Sequence, residues 1–406
     1  MTIDNALGNI NYIKDNFQST WTSSESGEND GTPVVMNLDS WWNEIKLDGS
    51  NDEALKAFVA QCKANGQIPG IYHTPFVSWA SEEQMNNPDE SWWTHPERVL
   101  RKSDGSMYDS IDGGYPLDVT REDVIQETIK RIQQFKELGF QYVKLDFMSH
   151  GYLEGQFANS DITTGAEAYN YAMTRILEEV NKDYGSQLFI NLSIAPIFPY
   201  QYANGRRMGC DSWYSTENTQ YTLNQLTYGF WERGIYQYPD PDHAVIYGRS
   251  GNATQAQAKN VMTLNAAVAG NMLLGDSFVE YTYKEKILGI EYNKTYNPSG
   301  AIKMANNVLW NPEIVSVAKK NKIFRSVMDD TAQYANVYKM EDNGDIYYAV
   351  FNFSGNNTYR LEIPTDGHYK CEELWSGEVI REQTWAWIDV QVNGEDSKIY
   401  KFSKVN

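Results

Sequence analysis

Apolar and polar positions follow two rhythms along this chain. Between about residues 34 and 280, short apolar runs alternate with longer stretches of helical spacing. The strand-like runs are VVMNLD (34–39), IPGIYH (68–73), YVKLDF (142–147), LFINLSI (188–194), DSWYS (211–215), AVIY (244–247) and NMLLGD (271–276). The clearest helix is expected over 121–139, where Val124, Ile125, Ile129, Ile132, Phe135 and Leu138 make one apolar stripe. Thr120 is its expected N-cap and Gly139 its expected stop. A second helix is expected over 166–182 from Ala168, Tyr171, Ala172, Ile176, Leu177 and Val180. Residues 6–17 also read as helical, and the polar stretch 19–33 reads as a loop. Strand and helix in repeated order predict parallel βαβ units.

Seven strands are one short of a (β/α)8 barrel. The missing strand would come before the helix at 6–17, where only about five residues remain, so either it lies upstream of this sequence or the barrel closes in an unusual way. After about residue 325 the rhythm changes to short, tyrosine-rich alternating runs such as DIYYAVFNFSG and KIYKFS, with Gly, Asn and Asp turns between them. The expected architecture is α/β: a TIM-type (β/α)8 barrel over 1–325, its first strand not evident, then a small antiparallel β-sandwich domain over 326–406.

Composition narrows the functions. The chain has 406 residues, 41% of them hydrophobic and 22% charged, which suits a large buried core and argues against disorder. Its 34 Lys and Arg stand against 54 Asp and Glu, for a net charge of −20, so nucleic acid and anionic membranes are not expected partners. No apolar run is long enough to cross a bilayer as a helix, so membrane insertion is not expected. Residues 1–20 lack a basic start and an apolar core, so no signal peptide is expected, and the compartment stays open. Cys62, Cys210 and Cys371 are scattered and suggest neither a disulfide framework nor a zinc site. Aromatic residues make up 14% of the chain, enough to serve either as core bulk or as stacking surfaces for sugar rings.

In a barrel of this kind, reactive groups sit at the C-terminal ends of the strands. Lys144 and Asp146 are two apart in YVKLDF, so their side chains share a face. On the interior face the ammonium would keep Asp146 ionised, which is what a nucleophile toward an anomeric carbon needs. The same pair also reads as a structural ion pair. In GRRMGCDSW (205–213), Asp211 could protonate a leaving oxygen and Arg207 could bind a sugar hydroxyl; a surface ion pair is the plainer alternative. In MNLDSWW (36–42), Asp39 beside Trp41 and Trp42 suits sugar recognition, or else a core tryptophan pair with Asp39 as a cap. His73, Asp146 and His150 could instead ligate a metal, although no closely spaced ligand pair occurs. There is no glycine-rich phosphate loop and no G-x-S-x-G elbow, so neither a nucleotide cofactor nor a serine hydrolase is indicated.

The order of these motifs resembles the retaining α-galactosidase clan, glycoside hydrolase families 27 and 36. MNLDSWW resembles the family's Asp-Asp-x-Trp strand end, and IPGIYHTP its next strand. YPLDVTREDV resembles a Leu-Asp segment that opens the following helix. YVKLDF is similar to the Lys-x-Asp nucleophile strand, and RRMGCDSW to the Arg-x-x-x-Asp acid/base element. YPDPDHAVIYG and MLLGD resemble the last two barrel strands. The resemblance is collinear over about residues 30–280. It implies a retaining glycosidase without metal or organic cofactor, acting on an oligosaccharide or glycoconjugate, with the oligomeric state open. It implies Asp146 as nucleophile, Asp211 as acid/base, Lys144, Arg207 and Asp39 as sugar-hydroxyl ligands, and Trp42 as a site wall. Two positions depart from the pattern: Ser40 replaces the second Asp, and Ile194 stands where a polar residue is common. The implied sugar is therefore α-galactoside-like. An α-N-acetylgalactosaminide, a β-L-arabinopyranoside or an α-glucoside are alternatives, and so is a barrel that binds sugar without turnover.

Overall fold

The structure, a computed structural model, describes residues 2–24, 28–182, 188–248, 251–287, 290–327 and 334–405. The chain forms two compact units. One holds the residues up to Ala6 together with Val35–Arg207, and the other holds Leu7–Val34 and Met208–Asn406.

The first unit contains five parallel strands paired in chain order: Val35–Leu38, Ile68–His73, Tyr142–Leu145, Phe189–Leu192 and Gly205–Arg207. Helices Asn51–Ala64, Glu122–Leu138 and Gly165–Val180 connect most of them. Each helix buries one stripe, for example Val124, Ile125, Ile129, Ile132 and Phe135. The strands answer with Leu38, Ile71, Val143, Leu145, Ile190 and Leu192, all buried and all on one alternation phase. This is the barrel-type α/β layering that the sequence predicts, with the first described strand at Val35.

The other phase carries the polar set. Asn37, Gly70, Tyr142 and Phe189 lie in one register row, and Tyr72, Lys144, Asn191 and Gly205 in the next. Gly70 makes the lower row fit. A Cβ there would lie 2.8 Å from Tyr142 Cδ1 and 3.1 Å from Asn37 Oδ1. Tyr142 in turn stacks on Phe189, with ring centroids 5.6 Å apart.

The helix ends match the sequence reading in part. Gly139 stops the Glu122–Leu138 helix in the left-handed region at φ 97°. Thr120 is not the N-cap. Its N–H and hydroxyl both donate to Asp118, and Arg121 takes the cap position without a side-chain bond. The next helix starts on a capping box between Thr164 and Glu167. The expected loop at 19–33 includes a short helix, Gln18–Thr22, following the long helix Ile3–Asn16.

The second unit includes the short strand Tyr238–Asp240 and the helices Thr216–Gly229 and Gln255–Thr263. Three expected strands are corrected here. DSWYS is not a strand, because the chain pairs earlier, at Gly205–Arg207. AVIY and NMLLGD are not strands either: a single parallel bridge joins Ala244 of the one to Leu274 of the other. Ala244 and Ile246 are nevertheless buried, their N–H groups held by the Leu273 carbonyl and the Asp276 carboxylate. An antiparallel hairpin, Tyr281–Ile287 with Ile290–Tyr296, was not anticipated from the sequence.

The C-terminal part is antiparallel, as expected. Six strands pair in the order Arg325–Ser326, Val337–Asp342, Asp345–Asn352, Asp396–Val405, His368–Glu373 and Glu378–Thr384. A second, two-stranded sheet joins Asn357–Glu362 to Trp387–Val392. Side chains from both sheets, among them Tyr348, Val350, Leu361, Val390 and Phe402, make one buried core.

Gly70→Val should overpack the strand face against Tyr142, which is fixed by its stack on Phe189. The expected loss of stability is about 1–3 kcal/mol, measured by urea unfolding. Wild-type stability in this variant would show that the face is not closely packed at that point.

Candidate active site

Four of the predicted site residues meet around a tyrosine to which the sequence reading gave no role. Tyr72 lies on the polar phase of its strand, directly opposite Lys144 in the register. The Lys144 ammonium sits 5.4 Å from the centre of the Tyr72 ring and reaches Asp39 Oδ2 at 3.2 Å. The Tyr72 hydroxyl lies within hydrogen-bonding reach of the Asp146 carboxylate, and the phenol also feels the charges of Asp39 and Arg207. Burial raises the Tyr72 phenol well above its ordinary range, and the two carboxylates raise it further. Tyr72 thus stays protonated and donates. The signal in the sequence was its phase: in IPGIYH it lies two residues after Gly70, on the side that faces Lys144.

The structure changes the partner expected for Lys144. Its ion pair is with Asp39, reached across the intervening strand. Lys144 is 13% exposed and Asp39 51%, so the pair opens to solvent on the Asp39 side. Asp39 also accepts from the Ser40 N–H at 2.8 Å and from Asn37 Nδ2 at 3.3 Å. Arg207 is buried, on the same phase as Gly205.

Asp146 follows directly after its strand. Its N–H donates to the His73 carbonyl, and its Oδ1 accepts from the Phe147 N–H at 2.8 Å. That last bond needs a sharp turn, and Phe147 takes left-handed backbone at φ 56°. The Phe147 ring is held edge-on by Trp79 at 4.8 Å and by His150 at 5.6 Å. The Ser149 N–H bonds the carbonyl of Ile194, another left-handed residue at φ 42°. A β-branched residue in that region is strained, so the loops after two neighbouring strands fix each other at some cost. Trp79 is an exposed ring one contact from the Asp146 turn, and the sequence reading did not single it out.

Other candidates fall elsewhere. Trp42 packs edge-on against Phe135, a residue of the buried helix stripe, at 5.3 Å, whereas Trp41 is 68% exposed. His73 lies on the helix-facing phase, 5.9 Å from the same Phe135 ring. Burial, with a smaller push from Arg131, holds its imidazole down to about 3. His150 Nε2 bonds the Ile111 carbonyl. Among the described residues no group of three or more His, Cys, Asp or Glu side chains is placed to hold a metal ion.

Asp211 belongs to the second unit and is exposed. The backbone beside it is well anchored. The Ser212 N–H donates to Asp242 Oδ2 at 2.8 Å, and the Asp242 N–H donates to Asp240 Oδ1 at 2.7 Å. Asp242 is buried in left-handed backbone at φ 71°, with His243 Nδ1 3.3 Å from its other oxygen. Trp213 stands edge-on to the His243 ring. The Asp-Pro-Asp motif thus acts as a bracket for the Asp211 loop. Asp276 accepts from the N–H groups of Ile246 and Tyr247, and burial raises its carboxyl to about 6.

No family model matches the chain. Solved structures do. A GH27 β-L-arabinopyranosidase from Geobacillus stearothermophilus, in complex with arabinose, superposes with a TM-score of 0.69 at 14% identity, covering 100% of this chain and 94% of that one. The α-galactosidase I of Mortierella vinacea gives 0.62 at 12% identity, again over 100% and 94%. A putative α-N-acetylgalactosaminidase from Bacillus halodurans gives 0.60 at 14% identity and the same coverage. The chain has the fold of the glycoside hydrolase 27/36 clan. Identities this low establish the architecture and leave the sugar to the residues of the site.

Two predictions follow from the second unit. Asp242→Ala removes the acceptor of the Ser212 N–H and should cost about 1–3 kcal/mol in urea unfolding, with Asp242→Asn recovering part of it. Equal stability of all three proteins would contradict the bracket. For Asp276, the folded state keeps its proton up to about pH 6, whereas the ordinary carboxyl value is 3.8. The folded state therefore binds more protons in that window, and stability falls as pH rises through it. Asp276→Asn should remove a fall on the order of 3 kcal/mol between about pH 3 and pH 7. An unchanged pH slope would show that the carboxyl titrates normally.

Proposed function

We propose that this protein is a retaining glycoside hydrolase that cleaves terminal α-D-galactoside-like linkages in an oligosaccharide or glycoconjugate. The observation that carries the reading is the convergence of Asp39, Lys144, Asp146 and Arg207 around Tyr72, on the polar face of a sheet with this fold. In the proposed reaction Asp146 attacks the anomeric carbon and forms a covalent glycosyl ester. Asp211 gives its proton to the departing oxygen, then takes one from the water that opens the ester. Two displacements restore the original anomeric configuration.

The remaining groups suit the same sugar. Lys144 donates to ring hydroxyls, Asp39 accepts from them, and Arg207 fixes one more. Tyr72 holds the Asp146 carboxylate through its hydroxyl and keeps the attacking oxygen oriented. Trp79 offers a ring face for stacking. Ser40 and Ile194 take away polar contacts, which favours a sugar with fewer or altered outer hydroxyls. A β-L-arabinopyranoside, which lacks the C6 group of galactose, is the foremost alternative, followed by an α-N-acetylgalactosaminide and an α-glucoside.

The test is nitrophenol release from aryl glycosides of these four sugars. One sugar should be cleaved, and Asp146→Ala should lower the rate by about 10³-fold or more, equivalent to about 4 kcal/mol. Azide should rescue Asp211→Gly with a glycosyl azide of retained configuration, and Asp146→Gly with the inverted one. Sugar binding by calorimetry with no turnover of any aryl or natural glycoside would overturn the reading in favour of a binding-only barrel.

A further inference from the structure

The hairpin Tyr281–Ile287/Ile290–Tyr296 has two unlike faces. Directly opposed residues share a face, so the register puts Tyr281 with Tyr296, Tyr283 with Lys294 and Glu285 with Tyr292 on one side, where Ile290 also lies. The other side carries Thr282 with Thr295, Lys284 with Asn293 and Lys286 with Glu291. One face is thus aromatic and aliphatic around a single Glu285–Lys294 ion pair, and the other is polar throughout.

The base of the apolar face is packed and its far end is not. Tyr296 is buried, stacks on Tyr281 at 4.8 Å, and donates its hydroxyl to the Ser277 carbonyl at 3.0 Å. Toward the turn, Ile290 is 59% exposed and Tyr292 43%. The two strands pair only with each other among the described residues. A two-stranded ribbon is at best marginally stable in water, and needs something packed on its apolar face.

Charge points to what packs there. The chain as a whole carries −20, so two copies repel over most of their surfaces. The hairpin carries three lysines (284, 286 and 294) and two glutamates (285 and 291), a local excess of positive charge. The apolar face holds one charge of each sign beside Tyr292. A two-fold axis there would set Glu285 of each copy toward Lys294 of the other, so the surface is complementary to itself. We propose that two copies of this chain associate through the apolar faces of these hairpins, burying Ile290 and Tyr292.

The test is sedimentation velocity on the full chain and on two single variants. The wild-type protein should sediment as a dimer. Tyr292→Asp should be a monomer with an unchanged circular dichroism spectrum. Asn293→Asp adds the same charge on the opposite face, and should remain a dimer. A monomeric wild type would overturn the proposal. So would a dimer that survives Tyr292→Asp, or one that both substitutions dissolve equally.

Discussion

Strand register is the constraint on which everything else in the candidate site rests. Side chains alternate with a period of two, so a slip of one residue exchanges the two faces of a strand. In the Tyr142–Leu145 strand such a slip would bury Lys144 among helices and push Val143 and Leu145 onto the polar face. The register is held from both sides. On the helix side it is held by buried Val143 and Leu145, and on the polar side by Gly70, which leaves room for Tyr142 to lie against Phe189. Packing that looks purely structural thereby decides that Tyr72 and Lys144 stand opposite each other.

That placement sets the electrostatics. A lysine paired with a carboxylate that is half in water can exchange partners at small cost, because a partly exposed ion pair contributes little net energy. In the proposed reaction Lys144 turns toward a sugar hydroxyl. Tyr72 is the less adaptable member of the group. Burial and neighbouring negative charge keep its proton in place, so it offers Asp146 a steady hydrogen bond. The turn after Asp146 adds a second fixed donor, the Phe147 N–H, through left-handed backbone. Both donors orient the carboxylate before any substrate arrives.

Much of this was legible in the sequence, and the gaps have physical reasons. The strands beginning at Val35, Ile68, Tyr142 and Phe189 announce themselves as apolar runs because one of their faces is covered by helices. Gly205–Arg207 and Tyr238–Asp240 are three residues long and mostly polar, so they carry no such signal. AVIY carries the signal without the strand: Ala244 and Ile246 are buried as a loop held by backbone acceptors. The hairpin at 281–296 escaped notice because its two strands, YTYKEKI and IEYNKTY, set few aliphatic residues among Lys, Glu, Thr and Asn and so make no apolar run. Lys144 was placed on the correct face but given Asp146 as its partner. Spacing within one strand cannot report Asp39, which arrives from two strands away. Trp42 and Trp41 are adjacent in sequence, and only packing distinguishes the ring that meets Phe135 from the one in solvent.

The central claim is that Asp146 forms a bond to the sugar. Incubation with an activated 2-deoxy-2-fluoro glycosyl fluoride of the preferred sugar, followed by peptide mass spectrometry, tests it most directly. The fluorine slows release of the glycosyl ester, so the intermediate accumulates. The expected result is one added glycosyl group per chain, on the peptide that contains Asp146. A label on Asp39 or Asp211, or active enzyme that turns over the natural linkage with inversion and never takes a label, would contradict it.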